Sequence, residues 1–319
     1  MLSDNCIHCG KCTKHCAFLS KYGLDLKSFS QRKDLAYHCF LCGECSAACP
    51  LGIDGRAIAL AMRRERTAAK GGRPDEKGYG LLLAEKQNYI FRSKLKGNRR
   101  SVLFPGCNFP SFYPETTQHL MELLAEKADM GVLFDCCGKP IDELGMDDGA
   151  VALGKRLKEA GVEELVVLCP NCYYHLKDKL GIAVVSIYDK LQSLGLGKVI
   201  EEEQLTLFTP CPDKKSRELE ASLTPYLPAD HSRVEGVSCC GLGGCAAGKE
   251  PELAKAFALE LKQREHANVY TYCASCAGTF SRSGVNHVHH VLVEILETEE
   301  TPELSLKSVW NRAKYKFTK

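Results

Sequence analysis

The sequence predicts a multidomain chain: a mostly α-helical N-terminal domain followed by two tandem α/β modules, each with a small parallel sheet. Three observations point there. Eight cysteines fall into two tight runs within the first fifty residues. Past residue 100 the cysteines recur with a fixed offset of 103–104 residues, the mark of a duplicated module. Short apolar, β-branched runs alternate with helical patterns through both copies, which implies parallel strands joined by helices. The expected boundaries are 1–66 for the cysteine-run domain, 67–100 for a linker and crossing helix, 101–200 and 201–298 for the modules, and 299–319 for a basic tail.

Composition limits what the cysteines can be. The chain has 319 residues, 19 of them cysteine, with 42 Lys and Arg against 40 Asp and Glu. That balance argues against a nucleic-acid binder. A chain of this length can bury ordinary cores without disulfide staples. The N-terminus carries no basic segment leading into an apolar run, so no secretory signal is visible. No stretch approaches the ~18 apolar residues of a membrane helix. A cytoplasmic location is therefore expected. Thiols stay reduced there, and so many of them point to metal or redox chemistry.

The N-terminal domain carries the first chemistry. Cys6, Cys9, Cys12 and Cys16 read C-x2-C-x2-C-x3-C; Cys39, Cys42, Cys45 and Cys49 repeat it, and Pro50 follows. This is the spacing of bacterial two-cluster ferredoxins, in which the fourth cysteine of each run serves the other cluster. The expected ligand sets are Cys6, Cys9, Cys12 with Cys49, and Cys39, Cys42, Cys45 with Cys16. Zinc is the rival, but it takes four ligands per ion and usually paired C-x2-C hooks. Ala17 stands where the pattern has proline. Ile58, Ala61 and Met62 recur at helical spacing within Arg56–Arg66. Thr67–Gly80 reads as a Gly-, Lys- and Pro-containing linker, and Leu81–Arg100 as a region holding another helix.

In the modules, Cys107, the pair Cys136-Cys137 and Cys169-x2-Cys172 match Cys211, the pair Cys239-Cys240 and Cys273-x2-Cys276. Ser101–Phe104, Gly131–Asp135, Leu165–Leu168 and Leu205–Phe208 read as buried strands. Thr117–Lys127 and Gly149–Ala160 read as helices. Each cysteine group then sits just past a strand's carboxyl end, where open α/β sheets bind ligands. Three loops would bring five thiolates together, more than one zinc or one cubane needs. Adjacent cysteines can bridge neighbouring irons of an opened cluster, leaving an iron with a free position for a sulfur substrate. Gly138 and Gly241, which follow the pairs, allow close backbone approach or positive φ.

The module resembles the cysteine-rich CCG domains of the heterodisulfide reductase B subunit, and the two quartets resemble its C subunit. The resemblance covers about residues 1–66 and 100–290. It implies an all-helical ferredoxin domain with two cubane [4Fe-4S] clusters. It also implies two noncubane [4Fe-4S] clusters, one on Cys107, Cys136, Cys137, Cys169 and Cys172, the other on Cys211, Cys239, Cys240, Cys273 and Cys276. The implied activity is that of an oxidoreductase subunit cleaving a small disulfide with electrons from a flavoprotein or ferredoxin partner. The alternative is an iron–sulfur relay subunit of a flavin-dependent glycolate, lactate or glycerol-3-phosphate dehydrogenase. Two complete modules favour disulfide chemistry. The spacing between the first cysteine and the vicinal pair is shorter than usual in the family.

Other features are less decisive. No flavin or nicotinamide motif is visible, so any flavin belongs to a partner, which is also the expected route to any membrane. Gly241-Leu242-Gly243-Gly244 lacks the strand and helix of a dinucleotide fingerprint. Cys245 is either an auxiliary thiol or a spare cysteine. His8, His15 and His38 either tune the clusters or lie on the surface; His287, His289 and His290 decorate a terminal element. Residues 1–100 hold 19 Lys and Arg against 9 Asp and Glu. This is either a docking field for an acidic partner or an ordinary solvated surface. The tail is a candidate docking segment.

Overall fold

In the computed structural model, which describes residues 2–147, 149–264 and 266–317, the cysteine runs fold as very short helices. Lys11–His15, Ala17–Lys21, Leu26–Phe29 and Glu44–Ala47 have four or five residues each. A 3-10 helix spans Lys33–His38. Gly10 and Gly43, which follow Cys9 and Cys42, sit at φ 72° and 78°. These left-handed residues turn the chain between ligand positions, a conformation that costs glycine little. The longest helix of this region, Gly55–Ala69, begins where the Asp54 carboxylate accepts hydrogen bonds from the Arg56 and Ala57 amides at 2.8 and 3.2 Å. It buries Ile58, Ala59 and Met62 against Leu26, Phe29 and Leu35.

Each module is a four-stranded parallel sheet. The first uses β1 (Ser101–Phe104), β2 (Gly131–Val132), β3 (Glu164–Val167) and β4 (Ala183–Ser186), in the order β2-β1-β3-β4. The second uses β5 (Leu205–Leu207), β6 (Ser232–Arg233), β7 (Asn268–Thr271) and β8 (Val288–His290), in the order β6-β5-β7-β8. The orders are equivalent, as the repeat requires. Helices Pro114–Ala128, Ala150–Glu159 and Pro251–Gln263 connect the strands. The short strand lengths follow from the loops: the chain must leave the sheet early to present its cysteines. Gly131–Asp135 is accordingly strand only over its first two residues. Leu205 and Leu207 pack in one core with Leu165, Ile187 and Leu191, so the modules share their apolar interior.

Residues 299–319, expected as a polar docking tail, instead carry a helix, Lys307–Phe317, that packs back on the first module. Tyr315 is 1% exposed and its ring stacks on Phe134 with centroids 4.2 Å apart. Its hydroxyl donates to the Pro114 carbonyl at 2.9 Å, and Asn311 Nδ2 donates to the Ser111 carbonyl at 3.1 Å. A single deeply buried aromatic, worth about 2–3 kcal/mol, anchors a segment in which Leu304, Leu306, Val309 and Trp310 are exposed.

One side chain joins all three units. Arg63 is 0% exposed. Its Nε donates to the Ala36 carbonyl at 2.9 Å and one terminal nitrogen to the Cys39 carbonyl at 2.7 Å. The other donates to the carbonyls of Glu143, in the first module, at 2.6 Å and Gly244, in the second, at 2.8 Å. The guanidinium lies over the Tyr37 ring, 5.1 Å from its centroid. The backbone approaches closely around it. A Cβ on Gly244 would lie 2.4 Å from the Cys39 carbonyl oxygen, and one on Gly145 2.6 Å from the Arg63 carbonyl carbon. Replacing Arg63 with Met leaves four buried carbonyls unpaired. We expect a loss of roughly 3–5 kcal/mol, measurable as a lowered midpoint in anaerobic denaturant unfolding.

Candidate metal centres and the cavity between the modules

The first cavity is lined by Cys6, Cys9, Cys12 and Cys49, with Ile7, Pro50 and Leu51 at its rim. The second is lined by Cys16, Cys39, Cys42 and Cys45. The crossed grouping arises because Cys16 and Cys49 begin or follow helices that lead away from their own runs. The first quartet reaches the surface: Cys9 is exposed, while Cys12 is buried. All four members of the second quartet are buried.

All ten module cysteines lie at strand carboxyl ends. In the first module, Cys107 touches Cys136, and Cys137 touches Cys172, which also contacts Cys169. In the second, Cys211 touches Cys239, and Cys240 touches Cys276, which contacts Cys273. Gly138 and Gly241 have φ of 85° and 87°. A Cβ on Gly241 would lie 2.7 Å from the Ala254 carbonyl oxygen, so glycine is required for space as well as conformation. Two further sulfur contacts cross between units. Cys42 of the second quartet meets Cys239, and Cys169 meets Cys273. The quartets are themselves neighbours, because helix Lys11–His15, which carries Cys12, packs on helix Glu44–Ala47, which carries Cys45. The sets therefore run in the order first quartet, second quartet, second module, first module.

Both five-cysteine sets open on one cavity of about 560 Å³. Phe40, Leu41, Leu82, Phe112 and Leu242 supply apolar wall, and Asn108, Ser275 and Thr279 supply polar groups. Asn108 Nδ2 donates to Ser275 Oγ at 2.7 Å. Cations line it as well, among them Arg56, Lys86 and Arg282.

Buried carboxylates brace the cysteine loops. Asp213, two residues after Cys211, is 0% exposed and accepts from the Leu219 and Glu220 amides at 3.2 and 2.9 Å and from Tyr272 at 2.5 Å. Asp135 accepts from the Cys136 amide at 2.8 Å and pairs with Arg92 at 2.7 Å. Glu250 ties the second module to the ferredoxin-like domain, accepting from Lys21, Tyr22 and His38, each at 2.6 Å. Burial pushes its carboxyl up, but these three donors outweigh burial and hold it below its ordinary value.

The thiol donor sets suit iron–sulfur clusters. Backbone amides also point at sulfur: Leu41 donates to Cys39 Sγ at 3.4 Å and Gly241 to Cys239 Sγ at 3.2 Å. A Cβ on Gly55 would lie 2.5 Å from Cys45 Sγ, so the chain cradles that sulfur. Cys245 stands apart from both sets. It lines the cavity beside Arg63, Lys139 and Glu143, packs against the N-terminal core, and burial pushes its thiol up to about 12.

The histidines divide. His8 is exposed and pairs with Asp25 at 2.6 Å, and His15 is exposed. His289 stacks on Tyr270 and pairs with Glu294 at 3.0 Å. His290 is buried between Phe109 and Tyr113, and its Nδ1 accepts from the Leu292 amide. Burial pushes it down to about 3. Sequence reasoning did not anticipate Arg63, Asp135, Asp213, or the two largely enclosed lysines 86 and 214. Asp135, Asp213 and Lys214 carry a local signal, their nearness to Cys136 and to Cys211.

The chain is thus an iron–sulfur electron-transfer protein. Residues 5–54 match the 4Fe-4S dicluster domain family, and residues 101–177 and 205–281 each match the cysteine-rich domain family. This is the domain combination of the heterodisulfide reductase B- and C-subunit-like proteins. An uncharacterised iron–sulfur protein of Methanococcus maripaludis is 24% identical over 282 residues, 75% of this chain and 55% of that protein. The chain spans about half the length of that relative. Among solved structures, an aspartate racemase of Picrophilus torridus aligns with a TM-score of 0.33 and 11% identity over 67% of this chain and 99% of its own. A glutamate racemase of Bacillus anthracis gives 0.32 and 12% over 68% of this chain and 82% of its own. Among the described residues no helix is long and apolar enough to cross a membrane.

Cys240→Ala removes a member of the second set, whereas Cys245→Ala touches none. The first variant should purify anaerobically with about four fewer irons per chain, the second with the wild-type count.

Proposed function

We propose that the chain is the disulfide-reducing subunit of a heterodisulfide-reductase-like oxidoreductase, with cubane [4Fe-4S] clusters on the two quartets and noncubane [4Fe-4S] clusters on the two five-cysteine sets. The carrying observation is that both five-cysteine sets open on one cavity while only the second touches the quartet file, through Cys42 and Cys239. Bound clusters supply one-electron transfer at potentials set by their surroundings. The balance is RS–SR′ + 2 e⁻ + 2 H⁺ → RSH + R′SH, and two sets facing one cavity match a two-electron cleavage. The apolar walls hold the sulfur chain of the substrate away from water. Asn108, Ser275 and Thr279 offer hydrogen bonds to its polar groups.

The file order supports electrons entering at the first quartet. Exposed Cys9 lies there beside Ile7 and Leu51, which are 66% and 47% exposed. Lys11 and Lys14 are exposed nearby. A redox protein with an acidic rim around an apolar contact fits this face.

Anaerobic purification with iron and sulfide counting tests the assignment. About sixteen irons per chain are expected for four clusters, and thiol added to oxidised protein should generate a new EPR signal. About eight irons would leave the modules without clusters. Spectra unmoved by any thiol or disulfide would leave a relay subunit of a flavin-dependent 2-hydroxy-acid or glycerol-3-phosphate dehydrogenase. Lys11→Glu with Lys14→Glu should slow reduction by an acidic carrier about tenfold at low salt, with the difference closing as salt rises; a rate insensitive to salt and to both substitutions would remove the docking face.

A further inference from the structure

Two largely enclosed lysines stand in matching places that the duplication did not create. Lys214 is three residues past Cys211, with its side chain 14% exposed. Its Nζ donates to Glu44 Oε2 at 2.6 Å and to the Ser238 carbonyl at 2.5 Å. It therefore lies between the vicinal pair of the second module and the second quartet, beside Cys211 and Cys42. The corresponding residue of the first module, 104 positions earlier, is Pro110. Another part of the chain supplies a cation there. Lys86, at the end of the linker helix Gly80–Lys86, lines the cavity beside Cys107 and Cys136 with its side chain 9% exposed. Its Nζ is 2.8 Å from Glu85, a carboxylate shared with Arg312, and 4.9 Å from the Tyr89 ring centroid. It makes no hydrogen bond of good geometry.

A buried ammonium is costly unless a negative charge faces it. Glu85 is already divided between two cations. Five thiolates carry one more negative charge than the four that hold a cubane, and of the other cations lining the cavity Lys139 is paired with Glu143, Lys249 with Glu76 and Arg312 with Glu85. A cation there favours the reduced form, because reduction adds negative charge.

We propose that Lys86 and Lys214 are paired counterions, one for each five-cysteine set, that hold the potentials of the two module clusters up. Lys214 acts on the second quartet as well, through Glu44 and Cys42. They are positioning residues acting through charge, and the proposal rests on clusters occupying the five-cysteine sets.

The test is an EPR-monitored redox titration of the full chain, purified anaerobically, with Lys86→Met, Lys86→Gln, Lys86→Arg and the same three changes at Lys214. At fixed potential the neutral Lys86 variants should shift the first-module signal at least tenfold toward the oxidised form, about 59 mV for a one-electron step, and leave the quartets unmoved. The neutral Lys214 variants should shift two signals, the second module and the second quartet. Arginine should restore each. Iron lost from both neutral variants but kept by arginine also supports the charge requirement. Iron lost from arginine as well, or signals within about twofold of wild type at full iron content, overturns it. About eight irons in the wild-type chain would instead overturn the cluster assignment, and the counterion proposal with it.

Discussion

Arg63 holds the molecule's electrical geometry together. A guanidinium has five donors in a rigid plane, and here four hydrogen bonds run from it to carbonyls of the ferredoxin-like domain and both modules. Two of the carbonyls it grips lie close to cysteines in the chain: Cys39 is three residues before Cys42, and Gly244 is four residues after Cys240. Fixing those carbonyls fixes the approach of Cys42 to Cys239. Electron transfer falls steeply with distance, so a positional clamp at that junction matters more than its energy alone. Glycines at 145 and 244 are part of the same device, because any side chain there would push the units apart.

The duplicated modules have kept their topology and lost their equivalence. Both present five cysteines from the same strand ends, and both pack on the quartet domain, the first through Leu144 and Met146, but it is Cys239 of the second that lies beside a quartet cysteine, Cys42. Their support differs too. The second braces its first loop with Asp213, while the first braces its vicinal pair with Asp135 against Arg92. The linker and C-terminal helices, which have no counterpart in the second module, wall the first module's side of the cavity with Lys86 and Arg312. A symmetric scaffold thereby becomes a directional one.

What was legible in the sequence was whatever sits close together in it. The C-x2-C-x2-C-x3-C runs, the vicinal pairs and the strand-then-cysteine order are local patterns, and they located the four cysteine groups. The helix over 56–66 and those over 117–127 and 149–160 were legible from periodicity. Arg63 was not, because its partners lie 27, 24, 80 and 181 residues away and its neighbours in sequence include other arginines. Strands β4, β6, β7 and β8 were missed: β4, β6 and β8 are two to four residues long and include exposed or half-exposed positions, and β7, Asn268–Thr271, holds a single aliphatic residue, Val269. The C-terminal helix was read as a tail because its two buried residues among those described, Ser308 and Tyr315, include only one apolar side chain, while Val309 and Trp310 face outward.

The exposure of Cys9 has a consequence for life in air. A cluster held there would meet dissolved oxygen before one held by the second quartet, whose four cysteines are all buried. With entry at the first quartet, as proposed, damage there would cut the electron path at its start. The outermost quartet would then behave as a fuse, failing before the enclosed one behind it.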